Sequence, residues 1–337
     1  MRDATPEKVL IIESGEGVGG SAFSMYRIVK YLDKQKYTPH VFVYYRTQAF
    51  ADIEELGVPV TQLRLFRPFP EELPDNGSPF RSLRNYVAVY GNMLMEILYN
   101  GFKLARFIRK NRIDIVHCNN GFFENIAAAF AARITGRPCI SHIRGTEPLM
   151  KIEEKLPGWI NRFIVLNYEM LEVYSAAFGE SKVRLVHNGV DLDNFANPEG
   201  ERIRSEFSIP EDAYAIGTFA RLVEGKGIPE FLEAAAKVTQ NRPNLIFFIA
   251  GGGSPTDSGF VDQLHAMRDD LGLREHVIFA GWRDDVKDCM AAMDLVLQVS
   301  TTFPEGMSLA PIEAMAMAKP VIVTDIAGYA DIVDDGK

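Results

Sequence analysis

The chain has 337 residues, 47% of them apolar and 24% charged. That is room for two ordinary domains and excludes a disordered or collagen-like chain. A net charge of −9 without a recognition motif argues against nucleic-acid binding, and three scattered cysteines exclude a disulfide framework or a metal knuckle. The charge is uneven. Residues 1–112 carry 16 Lys/Arg against 12 Asp/Glu, a net of +4. Residues 181–337 carry 14 against 25, a net of −11. This split points to a surface or acceptor role for the N-terminal half.

In the first half, short apolar runs predict strands at 8–13, 40–45, 114–118, 139–142 and 163–166, with helices at 21–33 and 124–135. The run Val9–Ile12 is too short for a signal peptide, and with three unpaired cysteines a reducing, cytoplasmic setting fits. Gly15-Glu16-Gly17-Val18-Gly19-Gly20 lies between a strand and a helix and satisfies G-x-G-x-x-G. A dinucleotide reading needs an acid at the end of the second strand. Tyr44-Tyr45-Arg46 stands there instead, so only an NADP site using Arg46 would fit. Residues 63–84 hold four prolines and four arginines and read as a long irregular loop. Its basic and aromatic residues, Arg64, Phe66, Arg67, Phe69, Phe80, Arg81 and Arg84 with Tyr86, are solvated loop charge or a face for an acceptor or an anionic membrane. Asn92, Glu96, Asn100 and Lys103 interrupt the apolar run 86–108, whose spacing fits an amphipathic helix and not a membrane span. His117 and His142 close two of the strands and so sit at a strand-end crevice.

In the second half, strands are predicted at 215–220, 245–250, 276–280, 294–299 and 321–324, with helices at 229–240 and 260–271. Alternation of this kind argues for parallel sheets covered by helices on both faces. Leu185-Val186-His187-Asn188-Gly189-Val190-Asp191 marks the joint, through a turn signal at Asn-Gly. Asp191-Leu192-Asp193 has the form of a metal motif but falls in linker, so no metal site is expected. Arg221 and Lys226 flank a Gly-rich turn after a strand, an arrangement suited to a diphosphate. Glu305 and Glu313 lie eight residues apart. Gly306 favours a loop, Ser308 is a plausible N-cap, and Pro311 suits the first turn of a helix holding Glu313. Two acids and helix-start amides suit a ligand with hydroxyls at one end and phosphate at the other.

Together these segments resemble the GT-B glycosyltransferases of the retaining family 4, marked by Glu-x7-Glu with an upstream Arg and Lys. The resemblance implies two Rossmann-like, doubly wound parallel-sheet domains facing a cleft: residues 1–187 for the acceptor, a linker at 188–212, and 213–337 for the nucleotide-sugar donor. In that family a final strand and several helices usually follow, so the C-terminal end looks incomplete and the second domain truncated. By resemblance Glu305 contacts donor-sugar hydroxyls and Glu313 the ribose, with amides of Gly306, Met307, Ser308 and Leu309 around sugar and phosphate. The family's usual Glu-Gly-Phe-Gly is altered here at Met307 and Ser308. Arg221 and Lys226 would neutralise the leaving diphosphate, so no metal and no cofactor is implied. Gly19 and Gly20 match the Gly pair that approaches the donor phosphate. Many relatives carry His-x-His where this chain has His117 and Asn119, so Asn119 takes the place near the transferred sugar. His142 resembles the family's next cleft-facing histidine.

The resemblance implies a retaining, metal-independent transfer of a sugar from a nucleoside-diphosphate sugar to a glycan, lipid or small-molecule hydroxyl. Partners are then the donor and a glycan or lipid acceptor, with peripheral contact to an anionic inner membrane face as a further option and no nucleic acid. Three rivals stand beside it: a nucleotide-sugar epimerase on the same architecture, an NADP-linked oxidoreductase, and a non-catalytic nucleotide-sugar-binding fragment.

Overall fold

The protein is described by a computed structural model. It covers residues 5–15, 20–46, 48–64, 79–146, 157–253 and 259–336, without the side chains of 48–49, 79–86 and 157. The chain divides into two units, Met1–His187 and Asn188–Lys337.

The first unit is built on strands β1 (Glu7–Glu13), β2 (Tyr37–Val43), β3 (Val60–Gln62), β4 (Ile115–Cys118), β5 (Cys139–His142), β6 (Arg162–Val165) and β7 (Val183–Leu185). They form one sheet in the order β3-β2-β1-β4-β5-β6-β7, paired in parallel throughout. The chain order reverses beside β1, so the ends of β1 and β4 lie at a topological switch point. β1 buries five consecutive residues, as a central parallel strand covered on both faces must. The edge strands β3 and β7 are three residues each, too short to announce themselves by alternation.

The second unit holds β8 (Tyr214–Phe219), β9 (Leu245–Ala250), β10 (Val277–Gly281), β11 (Leu295–Gln298) and β12 (Val321–Val323), in the order β10-β9-β8-β11-β12 and again parallel. Alternate residues feed two cores. Ala215, Phe219, Phe248 and Val296 pack on one face, and Ile216, Phe247, Ile249 and Val277 on the other. Residues 188–212 belong to this unit and carry a 3-10 turn at Leu192–Phe195 and a helix at Gly200–Glu206. Asp191 accepts from the amide of Asp193 and caps that turn.

One expectation changes. The irregular stretch expected to reach residue 84 gives way to a helix already at Pro79–Glu96, where proline is tolerated because its missing N–H needs no partner in a first turn. That helix passes through a π-turn, Ile97–Gly101, into a second helix, Phe102–Asn111. Of the polar residues that interrupt the apolar run, Asn92, Glu96 and Asn100 are buried. Gly101 is required at the turn, since a Cβ there would lie 2.8 Å from the Phe130 ring. Among the described residues no helix is long and apolar enough to cross a membrane.

Candidate active site

In the second unit, the loop after β8 carries Arg221 and Lys226, and the loop after β11 carries Glu305. Both loops lie at the carboxyl ends of parallel strands, where ligands bind in such sheets. The loops are locked by glycine. Gly225 (φ +79°) accepts at its carbonyl from the amides of Thr301, 2.8 Å, and Phe303, 3.3 Å. Gly227 (φ +74°) approaches Val299 so closely that a Cβ would sit 1.8 Å from its carbonyl oxygen.

This brings Lys226 Nζ to 2.5 Å from Glu305 Oε1. Ser300 Oγ donates to the same oxygen at 2.9 Å, and Tyr329 Oη at 3.3 Å. Among the described residues none donates to Oε2. Both partners are largely enclosed, with side chains 11% and 8% exposed. Burial holds the Lys226 ammonium below its ordinary pKa, and the Glu305 carboxylate opposes that shift. Tyr329 is wholly buried, and burial together with Glu305 holds its phenol well above the usual range, so it stays a hydrogen-bond donor. Gly328 lets this wall close, because a Cβ there would lie 2.6 Å from the Glu305 carbonyl oxygen. The Phe303 ring carries both cations: Lys226 Nζ is 3.9 Å from its centroid and the Arg221 guanidinium 5.3 Å.

Beyond Glu305, Gly306 and Met307 are buried and Ser308 opens the helix Leu309–Ala316 in extended conformation. Ser308 makes no capping bond of its own. Asn188 donates from Nδ2 to the Met307 carbonyl at 2.9 Å, which fixes the loop before the helix. Glu313 is half-buried within that helix. The structure thus gathers Arg221, Lys226, Glu305, Gly306, Met307, Ser308, Leu309 and Glu313 into one region. It adds Ser300, Phe303, Gly328 and Tyr329, which the sequence reading missed. Only the position of Phe303, two residues before Glu305, was a usable signal.

In the first unit, His117 and His142 stack with ring centroids 5.8 Å apart and planes 12° from parallel. Burial and the nearby Arg144 charge depress both: His117 to about 4, and His142 well below its ordinary value. They are neutral imidazoles at physiological pH. His117 Nε2 and both ring nitrogens of His142 are buried without a partner among the described residues. Asn119 is fully buried, and its amide is engaged at both ends. Nδ2 donates to Glu13 Oε2 and to the Ser21 carbonyl, and Oδ1 accepts from Arg144 Nη2 at 2.5 Å. Arg144 Nε also donates to the Asn119 carbonyl at 2.9 Å. Glu13 Oε1 accepts from the Gly15 amide at 2.8 Å. Burial raises the Glu13 pKa against the pull of Asn119, Gly15 and Arg144, while burial lowers Arg144 to about 10. Neither Glu13 nor Arg144 was singled out in the sequence, because no local motif joins residues 131 positions apart. Gly20 opens the helix Gly20–Tyr31 and is exposed. Gly19, Phe66, Arg67 and Phe69 lie outside the described residues, as do the side chains of Phe80, Arg81, Arg84 and Tyr86. Arg46, the residue on which an NADP reading leaned, is paired with Glu54. Among the described residues no three His, Cys, Asp or Glu side chains converge as metal ligands.

A family model described as Glycosyltransferase Family 4 matches residues 18–194, and one described as Glycosyl transferases group 1 matches residues 199–337. The UDP-Gal:alpha-D-GlcNAc-diphosphoundecaprenol alpha-1,3-galactosyltransferase of Escherichia coli is 28% identical over 253 residues, 70% of this chain and 64% of that protein. The D-inositol 3-phosphate glycosyltransferase of Mycolicibacterium smegmatis is 32% identical over 158 residues, 46% of this chain and 35% of that protein. The chain therefore spans less than two thirds of the length of these relatives. Anabaena HepE, crystallised with UDP and glucose, superposes with a TM-score of 0.77 at 21% identity, over 98% of this chain and 84% of that one. A Rickettsia africae glycosyltransferase superposes at 0.78 with 18% identity, over 98% and 83%. These likenesses show the fold to be GT-B.

Proposed function

The chain belongs to glycosyltransferase family 4, and on that footing we propose that it is a retaining glycosyltransferase acting without a metal or other cofactor. It moves a sugar from a nucleoside-diphosphate sugar to a hydroxyl of a glycan, lipid or small molecule. The observation that carries this is the division of labour at Glu305. Lys226, Ser300 and Tyr329 all engage Oε1, so Oε2 remains to accept from a sugar hydroxyl.

Departure of the sugar leaves growing negative charge on the diphosphate. Arg221 and Lys226, held over one aromatic ring, are placed to neutralise it, and the first turn of the Leu309–Ala316 helix adds amide dipoles. Glu313, in that helix, serves the ribose. His117 and His142, neutral and with unsatisfied ring nitrogens, contribute hydrogen bonds and not charge. No enzyme carboxylate is assigned as nucleophile; the leaving phosphate takes the acceptor proton on the same face. HepE was crystallised with UDP and the E. coli relative is named for UDP-Gal, which favours a UDP-sugar donor here.

The test compares UDP and UDP-sugar binding to Glu305→Ala and Glu313→Ala, with transfer assayed in excess EDTA and product anomers read by NMR. Glu313→Ala should weaken both ligands, and Glu305→Ala the full donor or its turnover. Equal losses in both variants, or transfer lost in EDTA and restored by magnesium, would refute the reading; so would an inverted product.

A further inference from the structure

The helical run Pro79–Asn111 has its polarity reversed between residues 92 and 102. Asn92, Glu96 and Asn100 face inward and are 8% exposed or less. Glu96 and Asn100 are bonded inside the unit. Tyr44 Oη donates to Glu96 Oε1 at 2.6 Å, and Asn100 Nδ2 donates to the same oxygen at 2.7 Å and to the Arg64 carbonyl at 2.8 Å. The outward side carries the apolar residues. Val87, Leu94, Leu98, Tyr99 and Phe102 are each between 43% and 53% exposed. Exposed apolar side chains gathered on one helix face mark an interaction surface more often than chance scatter.

The π-turn at Ile97–Gly101 re-phases the helix, and the outward side then becomes cationic. Lys103, Arg106 and Lys110 are exposed, and among the described residues no carboxylate pairs with them. Residues 97–113 contain five Lys/Arg, namely 103, 106, 109, 110 and 112, and no Asp or Glu. Apolar turns followed by cationic turns on one ridge match one kind of surface. Leucines and aromatics enter the acyl boundary while lysine and arginine heads stay among phosphates. A second copy of the chain seated on this ridge would set these cations against apolar side chains or against each other.

We propose that this ridge docks the first unit on an anionic lipid bilayer. Docking is read without turnover, so it stands or falls separately from the transferase reading. The experiment is co-sedimentation of the full chain with phosphatidylglycerol and with phosphatidylcholine vesicles at low and high salt, beside analytical ultracentrifugation. The protein should pellet with phosphatidylglycerol at low salt and be largely released once the screening length falls well below its value of about 10 Å at 0.1 M. Leu94→Asp with Leu98→Asp should abolish binding. Lys103→Ala, Arg106→Ala and Lys110→Ala together should cut partitioning to phosphatidylglycerol on the order of a hundredfold, about fivefold for each cation. Circular dichroism checks the fold, and Leu98→Ser supplies a milder apolar variant. Equal binding to both lipids, or none, overturns the proposal. So does a dimer that Leu98→Ser converts to monomer, which would make the ridge an interface between copies.

Discussion

In the second unit Glu305 meets its cation directly, with Lys226 Nζ 2.5 Å from Oε1. In the first, the amide of Asn119 bridges Glu13 and Arg144. The direct pair concentrates three donors on one oxygen, and among the described residues none donates to the other. The relayed pair uses both ends of its amide internally and ties the ends of β1, β4 and β5 together. One buried carboxylate is thus satisfied asymmetrically, the other through a shared relay.

The largest effect expected from this contrast is on Lys226. Lys226→Ala leaves Glu305 buried without its cation, which should cost about 3–5 kcal/mol of stability in the second unit. Turnover should fall further, by about 2–4 kcal/mol in activation free energy if Lys226 also meets the leaving diphosphate. Replacing both partners, Lys226→Met with Glu305→Leu, should recover most of the stability and none of the turnover. Urea unfolding of single and double variants reads this directly. A double variant no more stable than Lys226→Ala would show that the pair is not the coupled unit described.

The pH response should separate the units next. The folded His117 pKa of about 4 lies below its unfolded value, near 6.5. Its contribution is thus present above about pH 6.5 and lost as pH falls toward 4. By pH 5 the loss from His117 alone is about 2 kcal/mol, and His142 adds in the same direction. Glu13 runs oppositely: its raised pKa makes its contribution full below about 4.5 and lost as pH rises. In the second unit the lowered carboxylates Asp269, at about 2, and Asp285 change stability only below about pH 4. Calorimetry at pH 7 and pH 5 should therefore show one transition moving down by several degrees while the other stays. Movement of both together, or of neither, would break the comparison.

These differences also explain what could be read in advance. Ten of the twelve strands were legible from their apolar runs, and the meeting of Arg221, Lys226 and Glu305 from loops at strand ends whose spacing is set locally. Glycines 225 and 227 advertise such a turn. Glu13, Asn119 and Arg144 come from the ends of three strands and meet only through the sheet order β1-β4-β5, which no local spacing encodes. That Asn92, Glu96 and Asn100 face inward was not legible for a related reason. A period of 3.6 shows that a helix has two faces but not which face the sheet will accept.

A smaller test lies at the relay itself. Asn119→Ala should destabilise the first unit by about 2 kcal/mol, since Glu13 and Arg144 each lose a partner in a buried setting. Asn119→Asp should lose less at low pH, where the new acid can still donate, than at neutral pH, where it adds charge beside Glu13. Thermal unfolding of the two variants against pH distinguishes them. Equal tolerance of both would show that Asn119 is not the link between the two charges.

The smallest effect concerns Met307, where the family's usual residue is phenylalanine. Met307 is 7% exposed, and Asn188 holds it twice, through the Met307 carbonyl and through an amide aimed at Sδ 3.1 Å away. A thioether is flexible and of moderate size, so Met307→Leu should cost less than about 1.5 kcal/mol. Met307→Phe asks more of the loop, because a rigid ring has to fit the same space beside Asn188. It gives up the Sδ contact but keeps the carbonyl bond, which is backbone. The loop beginning at Glu305 should then shift against the sugar while Lys226 and Glu305 stay paired. Stability should change little, and the ratio of turnover between UDP-sugars differing at one hydroxyl should change by severalfold. One plate of donor sugars assayed with wild type and Met307→Phe is enough. An unaltered ratio with intact stability would place sugar selection elsewhere and leave Met307 a packing residue.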